Sequence, residues 1–258
     1  MRSLRQLMEC AGIDASGDVS VLFDYFGFSR GRVPTDPDTD QTASVSVLQQ
    51  ASMVDGDHVH LNVIRVGFDV MSQTDREEGL DKIDYAVYRT RNIIGVASLG
   101  VGRVQHFSLA ADATQGRDDI GSESEADALY DEWSVDNDGI DAFVVRTITG
   151  DFVGISPIKG ACSKGSGDDG LLAGDISRNP EPFARTFAHE LGHYLGLKHN
   201  HGSNCPSSNA GQRNLMAQTK CVPMIPGTNT RDVRNGARLT NSQSSKLRDH
   251  CTVKDGCA

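Results

Sequence analysis

The sequence of 258 residues contains no long run of apolar side chains. No segment approaches the ~18 consecutive apolar residues that a membrane-spanning helix needs. The N-terminal stretch, residues 1–20, has two basic residues near its start but no apolar core, so it does not form a signal peptide as it stands. The protein therefore stays inside the cell, leaves it by a route that the sequence does not show, or is part of a longer precursor.

The sequence also lacks dense basic patches interleaved with aromatic residues. The net charge is −10, and aromatic residues make up only 6 % of the chain. Acidic residues concentrate in 118–141 and basic residues in 220–254, but neither block resembles a nucleic-acid surface. We interpret both as solvated faces that aid solubility, and we expect no nucleic-acid partner.

None of the six cysteines belongs to a CxxC pair, which argues against a structural zinc ribbon. An even number of cysteines, most of them near the C-terminus, predicts disulfide bonds and favours a secreted protein, although the export route stays open. Short local loops favour pairing Cys205 with Cys221 and Cys251 with Cys257. The sequence cannot choose among the possible pairings, and buried reduced thiols are the alternative.

Hydrophobic periodicity predicts an α/β layer followed by an irregular C-terminal part. Residues 1–57 read as a pre-segment or peripheral layer. Capping boxes at Thr74 with Glu77 and at Ser122 with Glu125 mark two helix starts. The predicted strands cover 58–70, 101–109, 140–148, 152–158 and 171–176, and the predicted helices cover 74–93, 126–133, 180–195 and 240–250.

The segment HELGHYLGLKHNH, residues 189–201, holds four histidines. Asn179 and Pro180 predict the start of its helix, and Gly196 predicts the end. At ~100° per residue, His189 and His193 share one side of this helix, nearly opposite an apolar stripe. The residues of that stripe are Phe183, Phe187, Leu191 and Tyr194. The helix is therefore expected to pack its stripe into the core and to present two imidazoles to a cleft.

The spacing of these histidines is that of a catalytic zinc site. His189 and His193 stand one helical turn apart with Glu190 beside them, the arrangement H-E-x-x-H. Because Gly196 turns the chain back, His199 can supply the third ligand, which leaves one position for water. His201 is then the spare histidine, expected at the cleft rim or on the surface.

The full pattern H-E-x-x-H-x-x-G-x-x-H resembles the metzincin zinc endopeptidases. The segment RNLMAQ, residues 213–218, is similar to the family's Met-turn, with Met216 as its methionine. The short span between third histidine and methionine is similar to the pappalysin-like bacterial branch. Gln218 stands where some branches have a tyrosine that assists the metal, so no tyrosine role is carried over.

The resemblance implies a metzincin-like α/β (α+β) fold. Residues 58–196 would form an upper subdomain, in which a twisted mixed sheet and two main helices lie above the zinc cleft. Residues 197–258 would form an irregular lower subdomain ending in a helix. Residues 58–258 together would then make up the metalloprotease domain.

The expected activity is zinc-dependent hydrolysis of peptide bonds within proteins. Glu190 would take a proton from the zinc-bound water as it attacks the scissile carbonyl, and would pass it to the leaving amine. An extended peptide would pair with an edge strand, either 152–158 or 171–176. The alternative is a secreted toxin-like effector or binding module of the same fold, with a single protein target or little turnover. In either case we expect a monomer with protein or peptide partners.

Two weaker hypotheses concern other residues. Cys10 could cap the zinc as a latency thiol, but it lacks a surrounding motif. The acidic segment 136–141 could bind Ca²⁺, but it lacks the rest of an EF-hand loop. We therefore expect one catalytic zinc ion and do not expect calcium.

Overall fold

The structure is a computed structural model that describes residues 6, 9, 25–29, 34–35, 56–165 and 168–256. The hypothesis on Cys10 falls outside these residues, as do Cys257 itself and most of the predicted N-terminal pre-segment or peripheral layer. Within the described ranges, no helix is both long and apolar enough to cross a bilayer.

The described elements follow the predicted order closely. The strands are β1 (His58–Val66), β2 (Gly100–Leu109), β3 (Asp119–Ile120), β4 (Ile140–Val145), β5 (Thr147–Ile148) and β6 (Gly170–Asp175). The helices are α1 (Gln73–Gly95), α2 (Glu123–Trp133), α3 (Pro180–Tyr194), α4 (Asn209–Gln212) and α5 (Asn241–Arg248). Short 3₁₀ turns cover Phe68–Val70 and Thr219–Cys221.

Four strands form one sheet in the order β2-β1-β4-β6, and all three pairings are parallel. A parallel sheet is covered on both faces, which is why β4 and β6 are buried along their whole length. Alternate residues of β4 face opposite cores. Ala142 and Val144 pack with α1 and α3, whereas Phe143 and Val145 pack with α2. The predicted α/β layer and its irregular C-terminal part are confirmed.

The predicted strand over 152–158 is wrong in its extent. Only Ile155 pairs with the sheet, through an antiparallel bridge to Leu172 of β6 with N–H···O distances of 3.0 and 2.8 Å. Pro157 has no N–H to continue a ladder. In the described residues, antiparallel pairing with this sheet is thus limited to two isolated bridges, Ile155 with Leu172 of β6 and Lys254 with His58 of β1.

One predicted helix cap is wrong and the other is confirmed. Helix α1 begins before Thr74, and its cap is Ser72, whose hydroxyl accepts the N–H of Asp75. Because Thr74 already lies inside the helix, it cannot act as the cap. At α2, Ser122 and Glu125 form the reciprocal capping box that the sequence predicts.

The disulfide prediction is half right. Cys205 and Cys221 are bonded, as their short separation predicts. Cys251 pairs with Cys162 instead of Cys257, across 89 residues of sequence. The pairing of Cys251 with Cys257 is therefore wrong.

The long disulfide follows from packing that no local pattern encodes. The loop after 158 runs back along the end of α3, where the N–H of Gly160 donates to the carbonyl of Tyr194 at 2.8 Å. The carbonyl of Gly160 in turn accepts a hydrogen bond from Nε2 of His250 at 3.2 Å. Cys162 and Cys251, each close to one of these residues in sequence, are thereby brought within bonding distance.

Residues 25–29 belong to the core. Phe26 and Phe28 are 6 % and 2 % exposed, and the guanidinium of Arg91 lies over both rings, 5.0 and 5.7 Å from their centroids. Nε2 of His106 in β2 donates to the carbonyl of Gly27 at 2.8 Å. This segment therefore packs beside β2, at the sheet edge opposite β6.

The first prediction tests this packing through Phe28→Ala. The change should lower the free energy of unfolding by about 3–5 kcal/mol, because it leaves a cavity beneath Arg91. Urea unfolding followed by circular dichroism measures the loss. Val96→Ala is the control, since Val96 is 70 % exposed and should change stability by less than about 0.5 kcal/mol. Equal stability of the two variants would contradict the assignment of residues 25–29 to the core.

Candidate metal centre

Helix α3 carries the centre, and its orientation is the predicted one. Pro180 occupies the start of the helix and Asn179 the cap position, although the Asn179 side chain makes no capping hydrogen bond. The apolar stripe packs into the core beneath the sheet, with all four members buried: Phe183, Phe187, Leu191 and Tyr194. His189 and His193 consequently face the cleft.

A left-handed turn brings the third histidine back to the helix. Gly196 has φ +94°, a conformation that glycine adopts without steric cost. The N–H of Leu197 donates to the carbonyl of Gly192 at 2.8 Å and closes the turn. His199 then lies against the two helical histidines.

The three Nε2 atoms converge on one point. Nε2 of His189 and Nε2 of His193 are 3.1 Å apart, and Nε2 of His199 is 3.2 Å from each. Within the described residues this is the group of side chains that could hold a metal ion. The structure thus brings together the three histidines that the sequence singled out.

Main-chain carbonyls fix the tautomers of the two helical histidines. Nδ1 of His189 lies 2.7 Å from the carbonyl oxygen of Leu215, and Nδ1 of His193 lies 2.8 Å from that of Leu197. A carbonyl oxygen can only accept, so each Nδ1 carries the hydrogen and each Nε2 keeps its lone pair.

The imidazoles are also held in the neutral form. Burial lowers the pKa of His193 to about 4, the pKa of His189 well below its usual value, and the pKa of His199 in the same direction. All three are therefore neutral at pH 7, and two of them are tautomerically set to direct a lone pair to the common point. Three neutral imidazole nitrogens are a donor set that suits zinc.

Glu190 lies beside this cluster and is almost fully buried. Burial raises the pKa of Glu190 to about 8, and the positive charge of Arg185 acts in the opposite direction. Gly154 covers the carboxylate side chain closely, because a Cβ at Gly154 would lie only 2.8 Å from Cγ of Glu190 and from Cγ2 of Thr186. The carboxylate is thus enclosed between α3 and the segment 151–158.

The cluster opens into a cleft of about 740 Å³. Residues 151–156 and 158 line its upper side and residues 218–220 its lower side, with His189 and Glu190 between them. Because Ile155 bridges to β6, β6 is covered along this edge. Of the two predicted edge segments, 152–158 is therefore the one that borders the cleft.

Met216 lies beneath α3. It is fully buried, and a Cβ at Gly192 would lie 2.9 Å from its Sδ, so the sulfur packs against the helix backbone between the two histidines. The N–H of Met216 donates to Oδ1 of Asn214 at 2.9 Å, and its carbonyl accepts from the N–H of Asn200 at 3.2 Å. The turn around Met216 is therefore bonded to the loop that carries His199.

His201 is separate from the cluster but is not a plain surface residue. Its ring is partly buried and lies nearly parallel to that of His199, 5.8 Å between centroids. Nδ1 donates to the carbonyl of Gly202 at 2.8 Å, and Nε2 accepts the N–H of Gln218 at 3.1 Å. The fourth histidine thus joins the His199 loop to the segment after Met216.

Two of the three carboxylates in the acidic segment 136–141 are paired with cations. Asp138 pairs with Arg103 at 2.5 Å, and Asp141 pairs with Lys164 at 2.5 Å. Both ion pairs supply the positive charge beside these two carboxylates.

Sequence reasoning missed Arg185, which lies one helical turn before His189. Its guanidinium is buried and bonds to several main-chain carbonyls around Met216. The available signal was a charged residue within the otherwise apolar run FARTFA of α3.

Comparison with known families is consistent with this geometry. A reprolysin-type family model, described as metallo-peptidase family M12, matches residues 78–231, more than half of the chain. The chain belongs to metallopeptidase family M12, and the predicted resemblance to metzincin-like metallopeptidases is confirmed. The family implies a metal ion, usually zinc, and protein substrates. The pappalysin-like branch stays a prediction.

Several solved structures are similar to this chain at low identity. Archaemetzincin from Methanopyrus kandleri shares 14 % identity with a TM-score of 0.43, over 74 % of this chain and 95 % of that one. Metalloproteinase-II from Bacteroides fragilis shares 12 % with a TM-score of 0.41, over 75 % and 53 %. A chain from a chaperone–substrate complex shares 13 % with a TM-score of 0.40, over 75 % and 34 %. The present chain thus spans about a third of the last chain and about half of metalloproteinase-II. No curated protein matches it in sequence.

The second prediction concerns the close approach of Gly154 to Glu190. Gly154→Ala should reduce peptidase kcat/KM by roughly tenfold or more, because the added Cβ would also lie 3.0 Å from the carbonyl oxygen of Leu172 and must displace the cleft wall. Gly202→Ala is the control, since nothing lies within 4 Å of a Cβ at that position. Kinetics and melting temperatures of both variants check this, and unchanged activity in Gly154→Ala would contradict it.

Proposed function

We propose that the protein is a zinc-dependent endopeptidase in which His189, His193 and His199 bind one zinc ion and Glu190 is the general base. The convergence of three Nε2 atoms within 3.2 Å, beside a buried carboxylate at the base of a cleft, carries this proposal. When bound, zinc supplies Lewis-acid chemistry that brings the pKa of water to ~7 and polarises a carbonyl group.

In this proposal Glu190 accepts a proton in the first step and donates it in the second. As a carboxylate it accepts a proton from the attacking water, and as a carboxylic acid it returns that proton to the leaving amine nitrogen. Burial alone favours the acid, since it raises the pKa of Glu190 to about 8. The charge of Arg185 and that of a bound dication both favour the carboxylate, which is the form that a base requires.

The cleft wall suits a substrate whose scissile bond lies in the interior of the peptide chain and not at its end. The segment 151–158 passes over Glu190 at Gly154 and continues to the end of α3, where the N–H of Lys159 donates to the carbonyl of His193 at 3.0 Å. The wall thus runs along α3 past the metal cluster. An extended peptide laid along this segment by β-augmentation could continue on both sides of the scissile bond, as endopeptidase action requires.

The subdomain and localisation hypotheses belong to the same proposal. In this proposal residues 58–196 form the part above the cleft and residues 197–258 the part below it, and Met216 supports the zinc histidines from beneath. Residues 1–57 are a pre-segment or a peripheral layer, and the packing of residues 25–29 beside β2 supports the second. The bonds Cys162–Cys251 and Cys205–Cys221 suit an oxidising compartment. We therefore propose a secreted, monomeric enzyme that acts on proteins or peptides.

The third prediction separates catalysis from metal binding. Glu190→Gln should lower kcat on casein and on a peptide library by about 10²–10⁴-fold, because it removes the proton acceptor, while zinc stays bound at one ion per chain. Glu78→Gln is the control, since Glu78 is exposed on α1 and does not line the cleft. Zinc content is measured by atomic emission. Undiminished proteolysis in Glu190→Gln would overturn the mechanism, and zinc binding without proteolysis in the native chain would favour a binding module.

The fourth prediction distinguishes the third ligand from the fourth histidine. His199→Ala should weaken zinc binding by roughly 100-fold or more, because it removes one of three donor nitrogens. His201→Ala should retain most of the affinity, since its ring nitrogens bond to main-chain groups instead. Competition with a chelator measures both constants. Equal losses would show that the two histidines are not distinguished as proposed.

A further inference from the structure

We propose that Arg185 is a positioning residue, which holds the turn around Met216 against α3 and thereby fixes the imidazole of His189 for metal binding. This inference rests on the proposed zinc site. It concerns how the chain keeps that site in shape before any substrate binds.

Arg185 makes five hydrogen bonds to the lower part of the molecule. Arg185 is 2 % exposed, and its guanidinium extends from α3 into the turn below. The acceptors are the carbonyls of Asn214 (3.3 Å), Leu215 (3.1 Å) and Ala217 (2.5 Å) from Nη2, the carbonyl of Gly236 (2.7 Å) from Nε, and Oγ1 of Thr219 (3.3 Å) from Nη1. A single side chain therefore fixes the main chain on both sides of Met216.

One acceptor links Arg185 directly to the metal centre. The carbonyl oxygen of Leu215 accepts from Nη2 of Arg185 and also, at 2.7 Å, from Nδ1 of His189. A carbonyl oxygen has two lone pairs, so it can serve both donors. Residues 185 and 189 are one helical turn apart, so both reach the same carbonyl. Displacement of this carbonyl would release the group that sets the tautomer and the orientation of the His189 ring.

The partners of Arg185 suit positioning better than charge neutralisation. Within the described residues its hydrogen-bond acceptors are carbonyls and a hydroxyl, not carboxylates. Burial lowers the pKa of Arg185 to about 10, so the side chain still carries its charge at pH 7. A buried cation costs free energy unless it is well hydrogen-bonded, and here all of its bonds hold the segments 214–219 and 236.

The chain offers a matched control in Arg91. It is also 2 % exposed, and it donates to the carbonyls of Val101 and Gly102 at 3.2 and 3.3 Å. It lies over Phe26 and Phe28, at the sheet edge opposite β6. Arg91 is thus also a buried arginine that donates to main-chain carbonyls, but it does so at a site apart from the metal centre.

The fifth prediction compares Arg185→Met, Arg185→Lys and Arg91→Met in the full chain. Each protein is stripped of metal and loaded with zinc for chelator competition, and with Co²⁺ for visible absorption spectra. Arg185→Met should weaken zinc binding by about 10–100-fold and alter the Co²⁺ spectrum, and Arg185→Lys should recover part of both. Arg91→Met should lower the melting temperature while leaving both metal readouts as in the native chain.

Two outcomes would overturn the inference. One is native zinc affinity and a native Co²⁺ spectrum in a folded Arg185→Met. The other is an equal loss of affinity in Arg91→Met, which would mean that general destabilisation is the cause. Should Arg185→Met fail to fold, the charge-preserving Arg185→Lys carries the comparison: reduced affinity supports positioning, and native affinity refutes it. If the proposed zinc site itself were wrong, the native chain would bind neither zinc nor Co²⁺ through His199. That result differs from a failure of the inference on Arg185, in which the native chain binds both metals.

Discussion

Three imidazole nitrogens can lie within 3.2 Å of one another only if none of them carries a hydrogen that points at the others. Much of the lower half of this molecule keeps these nitrogens free of that hydrogen. Burial keeps the rings neutral, since it lowers the pKa of each of the three histidines. Neutrality is not sufficient, because a neutral imidazole still places its hydrogen on one nitrogen or the other. The carbonyls of Leu215 and Leu197 decide that choice for the two helical rings.

Those two carbonyls come from different parts of the chain. Helix α3 is therefore hydrogen-bonded both to the turn that follows it and to the loop beneath it. Leu197 belongs to the turn that Gly196 makes at the end of the helix. Leu215 belongs to the loop beneath, where Asn214 exchanges side-chain hydrogen bonds with Gln243 at the start of α5. The disulfide between Cys205 and Cys221 encloses this loop. A largely irregular segment can therefore hold an acceptor at a defined place without regular secondary structure.

The sequence predicted those features that depend on residues close together in the chain. The face of α3, the turn at Gly196 and the third histidine follow from helical periodicity and from glycine's freedom at positive φ. The bond between Cys205 and Cys221 was predicted for the same reason. Features that join distant segments were missed: the pairing of Cys162 with Cys251, the packing of residues 25–29 beside β2, and the clamp by Arg185. Each depends on which surfaces meet after folding, and no spacing rule encodes that.

The wall of the cleft covers one edge of the sheet. An exposed edge strand invites pairing with other chains, and β2 is flanked by residues 25–29 at its own edge. At the other edge, 152–158 joins β6 through Ile155. Pro157 removes one donor from this segment, and Gly154 lets it approach α3 within reach of Glu190. An irregular segment of this kind shields β6 from pairing with other chains. The same departure from strand geometry that made the sequence-based prediction of 152–158 wrong in its extent therefore protects this edge of the sheet.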